Sequence, residues 1–104
     1  MRIVFDHGTP VPLRRALTRH IVSTAYEMGW AGLDNGALLA AAEAQFDALV
    51  TTDRNLRYQQ NLAGRRLAIV VLPTTSWPII QVNADAVAAA IDELHPGAFV
   101  EMKF

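Results

Sequence analysis

Residues 47–55 read DALVTTDRN. An apolar, β-branched run passes directly into an acid, a cation and an amide. β-Branched residues suit the pleated strand, and Asp, Arg and Asn in succession suit a turn. The stretch predicts a strand over Asp47–Thr52, with the carboxylate of Asp53 at its C-terminal end. Arg2–Asp6 (RIVFD) repeats the pattern, bounded by Gly8 and Pro10, and ends in a second carboxylate. Leu67–Leu72 (LAIVVL) is uniformly apolar, as a strand buried on both faces must be. His20–Thr24 (HIVST) is a further strand, and the alternating Ala98–Phe104 (AFVEMKF) closes the sheet as an edge strand.

Helical stretches lie between these runs. Pro10 and Pro12 lead into a short helix over Leu13–Thr18, since a first turn has no use for the missing N–H. Ala25–Trp30 supplies one helical turn at most, ended by Gly29. Asp34 caps a helix through about Gln45, with Leu38, Leu39, Ala42 and Phe46 on one face. Leu56–Asn61 is a short helix, and Pro73–Pro78 (PTTSWP) is a rigid loop. Ala84–Leu94 is an alanine-rich helix with Val87 and Ile91 turned inward, stopped by Pro96–Gly97. Strands alternating with helices predict the α/β class: a compact three-layer sandwich around a mainly parallel sheet of four or five strands, with residues 1–104 as a single domain. Right-handed crossovers gather the C-terminal strand ends on one edge, where ligands bind such sheets.

Composition narrows the function classes. Hydrophobic residues make up 52% and charged residues 18%, the opposite of a disordered chain. A net charge of −1 excludes a strongly basic coater of nucleic acid. There is no cysteine, so disulfides, thiolate metal sites and cysteine nucleophiles are excluded. No apolar run approaches the roughly 18–20 residues of a membrane span, and the N-terminus does not read as a signal peptide. A cytoplasmic protein with no membrane partner is expected. Residues 1–66 hold eight arginines against six carboxylates, and residues 67–104 one lysine against four. An anionic ligand therefore belongs with the first two-thirds.

Asp6, Asp53 and Asp34 project from three elements toward one end of the sheet. Carboxylates gathered in one cleft raise each other's pKa unless a cation compensates. A hard divalent cation suits such a cleft, and Mg²⁺ in particular takes one or two carboxylates and keeps several waters. The bound ion orients a water and steadies a scissile phosphate. Each acid also has a structural reading: Asp34 as a helix cap, Asp6 and Asp53 as turn formers. His7 serves either as a base or ligand or as a backbone hydrogen-bonder. Glu27 and Glu43 fall on stretches where surface exposure is the default. Arg54 and Arg57 follow the third strand and can hold phosphates or simply be solvated. In the PTTSWP loop, Thr75 and Ser76 offer hydroxyls to a phosphate. Trp77 either stacks a base or packs on the last helix.

FD at residues 5–6, Asp34 opening a helix, and VTTDRNL at residues 50–56 resemble the PIN-like nuclease superfamily. The likeness is to its small bacterial branch of PIN-like proteins of unknown function. VTTDRNLRYQQNLAGRR (50–66) followed by IVVLPTTSWP (69–78) is similar to one subgroup of that branch. The resemblance spans nearly the whole chain, and the order and spacing of short motifs carry it. It implies a Mg²⁺- or Mn²⁺-dependent ribonuclease site, and for some members a toxin paired with an antitoxin. Asp6, Asp34 and Asp53 then become the catalytic carboxylates. Asn55 stands where many relatives place a further acid, so a metal shell of Asp6, Asp53 and Asn55 has an amide oxygen but no third charge there. RNA and an antitoxin-like protein are the partners this implies, and a homo-oligomer is left open. The alternative is a degenerate PIN-like domain that binds RNA or protein without cutting. A phospho-accepting receiver fits less well: Asp6 is followed by His7 rather than a second acid, and the only lysine is Lys103.

Overall fold

The computed structural model describes residues 1–104. Its five strands are β1 (Arg2–Phe5), β2 (Ile21–Thr24), β3 (Ala48–Thr51), β4 (Ala68–Val71) and β5 (Phe99–Glu101). Every residue of β3 and β4 is buried, as are the last three of β1. Strands without an exposed face must lie inside a sheet covered on both sides. The sheet order is β2-β1-β3-β4-β5, and every pairing is parallel. Phe5 stands beside Val50, and Val50 beside Val70, so the C-terminal ends of the three central strands are level.

Alternation along each strand divides the core in two. Ile3, Phe5, Ala48, Val50, Ala68 and Val70 face one way. They pack with Leu13 and Leu17, Ile80, and Val87 and Ile91. These come from a 3₁₀ helix (Val11–Ala16) and its end, from α3 (Trp77–Val82) and from α4 (Ala84–Asp92). Val4, Leu49, Ile69 and Val71 face the other way. They meet Leu39, Ala42 and Phe46 of α1 (Asn35–Gln45) and its end, and Leu56 of α2 (Leu56–Gln59). The molecule is therefore a three-layer α/β sandwich. Each fully buried Ile, Leu, Val or Phe is worth about 1.5–3 kcal/mol of hydrophobic stabilisation.

The crossovers do not all share a hand. β3–β4 and β4–β5 step the same way across the sheet, yet α2 covers one face and α3 and α4 cover the other. The two connections are thus of opposite hand. The other two connections match β3–β4, so the general right-handed preference makes β4–β5 the exception. The reason lies in the cover. Without α3 and α4, only the six-residue 3₁₀ helix would lie over Phe5, Val50 and Val70. Elsewhere the boundaries differ modestly from the reading of the sequence. The first helical stretch is a 3₁₀ turn containing Pro12, rather than a helix over Leu13–Thr18. The PTTSWP loop gives way to helix at Trp77, with Pro78 tolerated in the first turn.

Candidate functional site

The chain runs from β1 outward to the edge strand β2, then returns past β1 to β3. After β1 it turns toward the 3₁₀ face, and after β3 toward the α2 face. This reversal of direction between β1 and β3 marks the topological switch point, whose strand ends are the usual ligand position in an open parallel sheet. Three loops meet there. A Cβ at Gly8 would collide with Thr52 Oγ1 and stand 3.8 Å from Thr75 Cγ2. Any side chain at residue 8 would displace Thr52, so glycine permits the contact.

Asp6 follows β1 and is half-buried. Its Oδ1 accepts from the Thr9 N–H at 3.1 Å and the Thr9 hydroxyl at 2.7 Å. Its Oδ2 accepts a short hydrogen bond from the Thr51 hydroxyl. The same Thr9 hydroxyl lies 3.0 Å from the Val50 carbonyl, so its single proton is shared between Asp6 and Val50 and ties the first loop to β3. Thr51 in turn accepts the Asp53 N–H at 3.1 Å. One buried hydroxyl thus joins the two acids, receiving from the backbone of Asp53 and donating to the carboxylate of Asp6. Asp53 Oδ1 accepts the Asn55 N–H at 3.0 Å, and Oδ2 accepts the Asn35 side-chain amide at 2.8 Å.

Asp34 takes no part in this chain. Its Oδ1 accepts the Ala37 N–H at 2.8 Å, the N-cap bond of α1. The residue that reaches Asp53 from this helix is its neighbour Asn35, which also lies 3.4 Å from Gln59 Oε1. Asn55 is exposed, and its backbone rather than its side chain contacts Asp53. Arg54 is exposed. Arg57 turns away, 2.7 Å from Glu101 on β5 and with its guanidinium over the Tyr58 ring. Thr75 is exposed beside Gly8, and Ser76 holds the N-cap position of α3 without a side-chain cap bond. Trp77 packs against the core, and His7 is exposed. Thr9, Thr51 and Asn35 are the additional residues of the cluster. For Thr9 and Thr51 the signal lay in the D-x-x-T and T-T-D spacings, which favour side-chain-to-backbone bonds at turns, whereas Asn35 carried none beyond standing next to the capping Asp34.

The two glutamates are structural. Glu27 accepts the Thr24 N–H at 2.9 Å and pairs with Arg14 at 2.6 Å. The Arg14 hydrogen bond, followed by that from Thr24, holds its pKa below the ordinary range. Glu43 accepts the N–H groups of Leu67 and Arg66 where the chain enters β4. Burial alone would raise its pKa; the Leu67 and Arg66 amides and the charges of Arg66 and Arg65 outweigh that and lower it.

No three acids and imidazoles lie together closely enough to hold an ion between them. Asp6 and Asp53, coupled through Thr51, supply two carboxylates. That number fits Mg²⁺, which completes its shell with water and substrate phosphate. No helix is long and apolar enough to cross a membrane. In comparisons with protein-family models, curated proteins and solved structures, the chain matches none.

Proposed function

We propose that this chain is a PIN-like domain that hydrolyses RNA with Mg²⁺ or Mn²⁺. The reading rests above all on the coupling of Asp6 to Asp53 through Thr51 at the β1–β3 crevice. Asp6 and Asp53 would hold the ion, with the Asn55 amide oxygen as a further ligand. When bound, such an ion acidifies a water and offsets charge on the scissile phosphate. Arg54, Thr75 and Ser76 flank the crevice and serve the phosphates of the strand, whereas Arg57 is committed to Glu101. In a cytoplasmic setting this activity suits a toxin restrained by an antitoxin-like protein. The test is Mn²⁺-dependent cleavage of a mixed RNA pool by wild type, Asp6→Asn and Asp53→Asn. Cleavage by wild type alone supports the nuclease, and equal cleavage by all three removes these acids from the reaction. Asn55→Asp should tighten calorimetric Mn²⁺ binding, and should do nothing once Asp6 is replaced.

A second reading, RNA or protein binding without cleavage, draws on two observations. Asp34 Oδ1 caps α1, and Asn55 adds no charge. Wild type that takes up no Mn²⁺ yet retains RNA would decide for it.

A further inference from the structure

Beside the crevice, where β4 and β5 end, lies a cleft of about 210 Å³. It is lined by Val71–Pro73 and Met102 together with Arg54, Glu101 and Lys103. Arg54 adjoins Asp53 in the chain, so the cleft lies one residue along the chain from one of the proposed metal-binding acids. Its charge is one-sided. Glu101, its only acid, is paired with Arg57 at 2.7 Å from outside the lining. Arg54 and Lys103 form no ion pair and are exposed. Two cations outside any ion pair thus line the cleft together with a carboxylate that is already compensated. The volume lies below the roughly 300–1,000 Å³ of pockets that enclose whole small molecules. It admits a phosphate and part of its sugar, with the rest of a strand outside.

We infer that this cleft is a phosphate subsite for single-stranded RNA, in which Arg54 and Lys103 seat the backbone of a nucleotide flanking the one at Asp6 and Asp53. The inference rests on the proposed RNA reading and adds Lys103 and the β4–β5 edge to it. A point charge on a flexible stem and a planar fork lining one cleft suit a backbone phosphate, whose oxygens are accessible from several sides. Arg54 joins the subsite to the reacting position, and Arg57 acts only by holding Glu101.

The experiment is fluorescence anisotropy with a short labelled single-stranded RNA in EDTA, where metal-dependent cleavage is silent. Wild type, Arg54→Ala, Lys103→Ala, the double variant and Arg15→Ala are compared across a salt series. Arg15 is an exposed, unpaired cation on the 3₁₀ helix and reports nonspecific charge loss. Arg54→Ala and Lys103→Ala should each weaken binding several-fold. Each should also reduce the slope of log affinity against log salt by about 0.7, the value for one phosphate contact on a single strand. Arg15→Ala should change neither, and Lys103→Arg should retain binding. Equal losses from Arg15→Ala, or no RNA binding by wild type at low salt, overturn the inference. Complete displacement of RNA by millimolar inorganic phosphate overturns it in favour of a small-anion site. The two readings fail separately. Mn²⁺-dependent cleavage with binding unchanged in both variants removes the subsite alone. Absent cleavage with Arg54- and Lys103-dependent binding intact removes the nuclease alone.

Discussion

At the scale of single residues, the crevice is held by hydroxyls and amides as much as by acids. Asp6 receives three hydrogen bonds and Asp53 two, so each carboxylate is positioned before any ligand arrives. Asn35 is the informative position, because its amide donates to Asp53 Oδ2 at 2.8 Å. Asn35→Asp replaces a donor with a like charge. Without metal it should cost about 2 kcal/mol in urea unfolding, from the lost hydrogen bond and the repulsion. With Mn²⁺ the third carboxylate should tighten calorimetric binding and recover much of that loss. Destabilisation that Mn²⁺ fails to relieve would show that no ion sits beside Asp53.

Among the elements, α1 links three parts of the molecule. Asp34 caps its start, Asn35 reaches Asp53, and Glu43 near its end receives the amides leading into β4. Asp34→Ala should cost about 1 kcal/mol, and Asp34→Asn should cost almost nothing because Asn caps as well as Asp. If Asp34→Asn keeps stability yet abolishes RNA cleavage, Asp34 serves the reaction as well as the helix. Glu43 makes the attachment of α1 to β4 dependent on pH. Its pKa is lowered in the folded chain, so its contribution is fully present above the ordinary value of 4.5 and is lost as pH falls below it. Glu27 acts in the same window through Arg14 and Thr24. Unfolding midpoints of wild type should therefore drop below about pH 4.5, and Glu43→Gln should flatten that decline while starting from lower stability at neutral pH. An identical pH profile in Glu43→Gln would place the acid sensitivity elsewhere.

For the whole molecule, stability concentrates in the three central strands. β1, β3 and β4 have neighbours on both sides and helices on both faces, whereas β2 and β5 have one neighbour each. Amide exchange should be slowest at Phe5, Val50 and Val70, and faster in β2, where Ile21 is 69% exposed, and in the three-residue β5. Exchange in β5 as slow as in β4 would mean that its free edge is covered in solution. Leu49→Ala in the central strand should cost about 2–5 kcal/mol, measured by urea unfolding.

The sequence by itself determined the strands, because LAIVVL, RIVFD and ALVTT leave a chain few alternatives to a buried sheet. It also determined that Asp6 and Asp53 share one edge, since parallel strands of similar length end together. The α1 cap was legible at Asp34, where a short polar side chain precedes a helix whose first N–H groups lack partners. Only the tertiary structure decided that α3 and α4 lie on the same face as the 3₁₀ helix. That choice depends on which face lacks cover, a property of the assembled sheet and not of any segment. The same holds for the partners within the crevice. Asn35 rather than Asp34 turns toward Asp53, and Arg57 rather than Arg54 binds Glu101. Asp34 and Asn35 are neighbours that point in different directions, Arg54 lies in the turn before α2 whereas Arg57 lies within it, and which residue meets a partner is set by the packing of elements far apart in the chain.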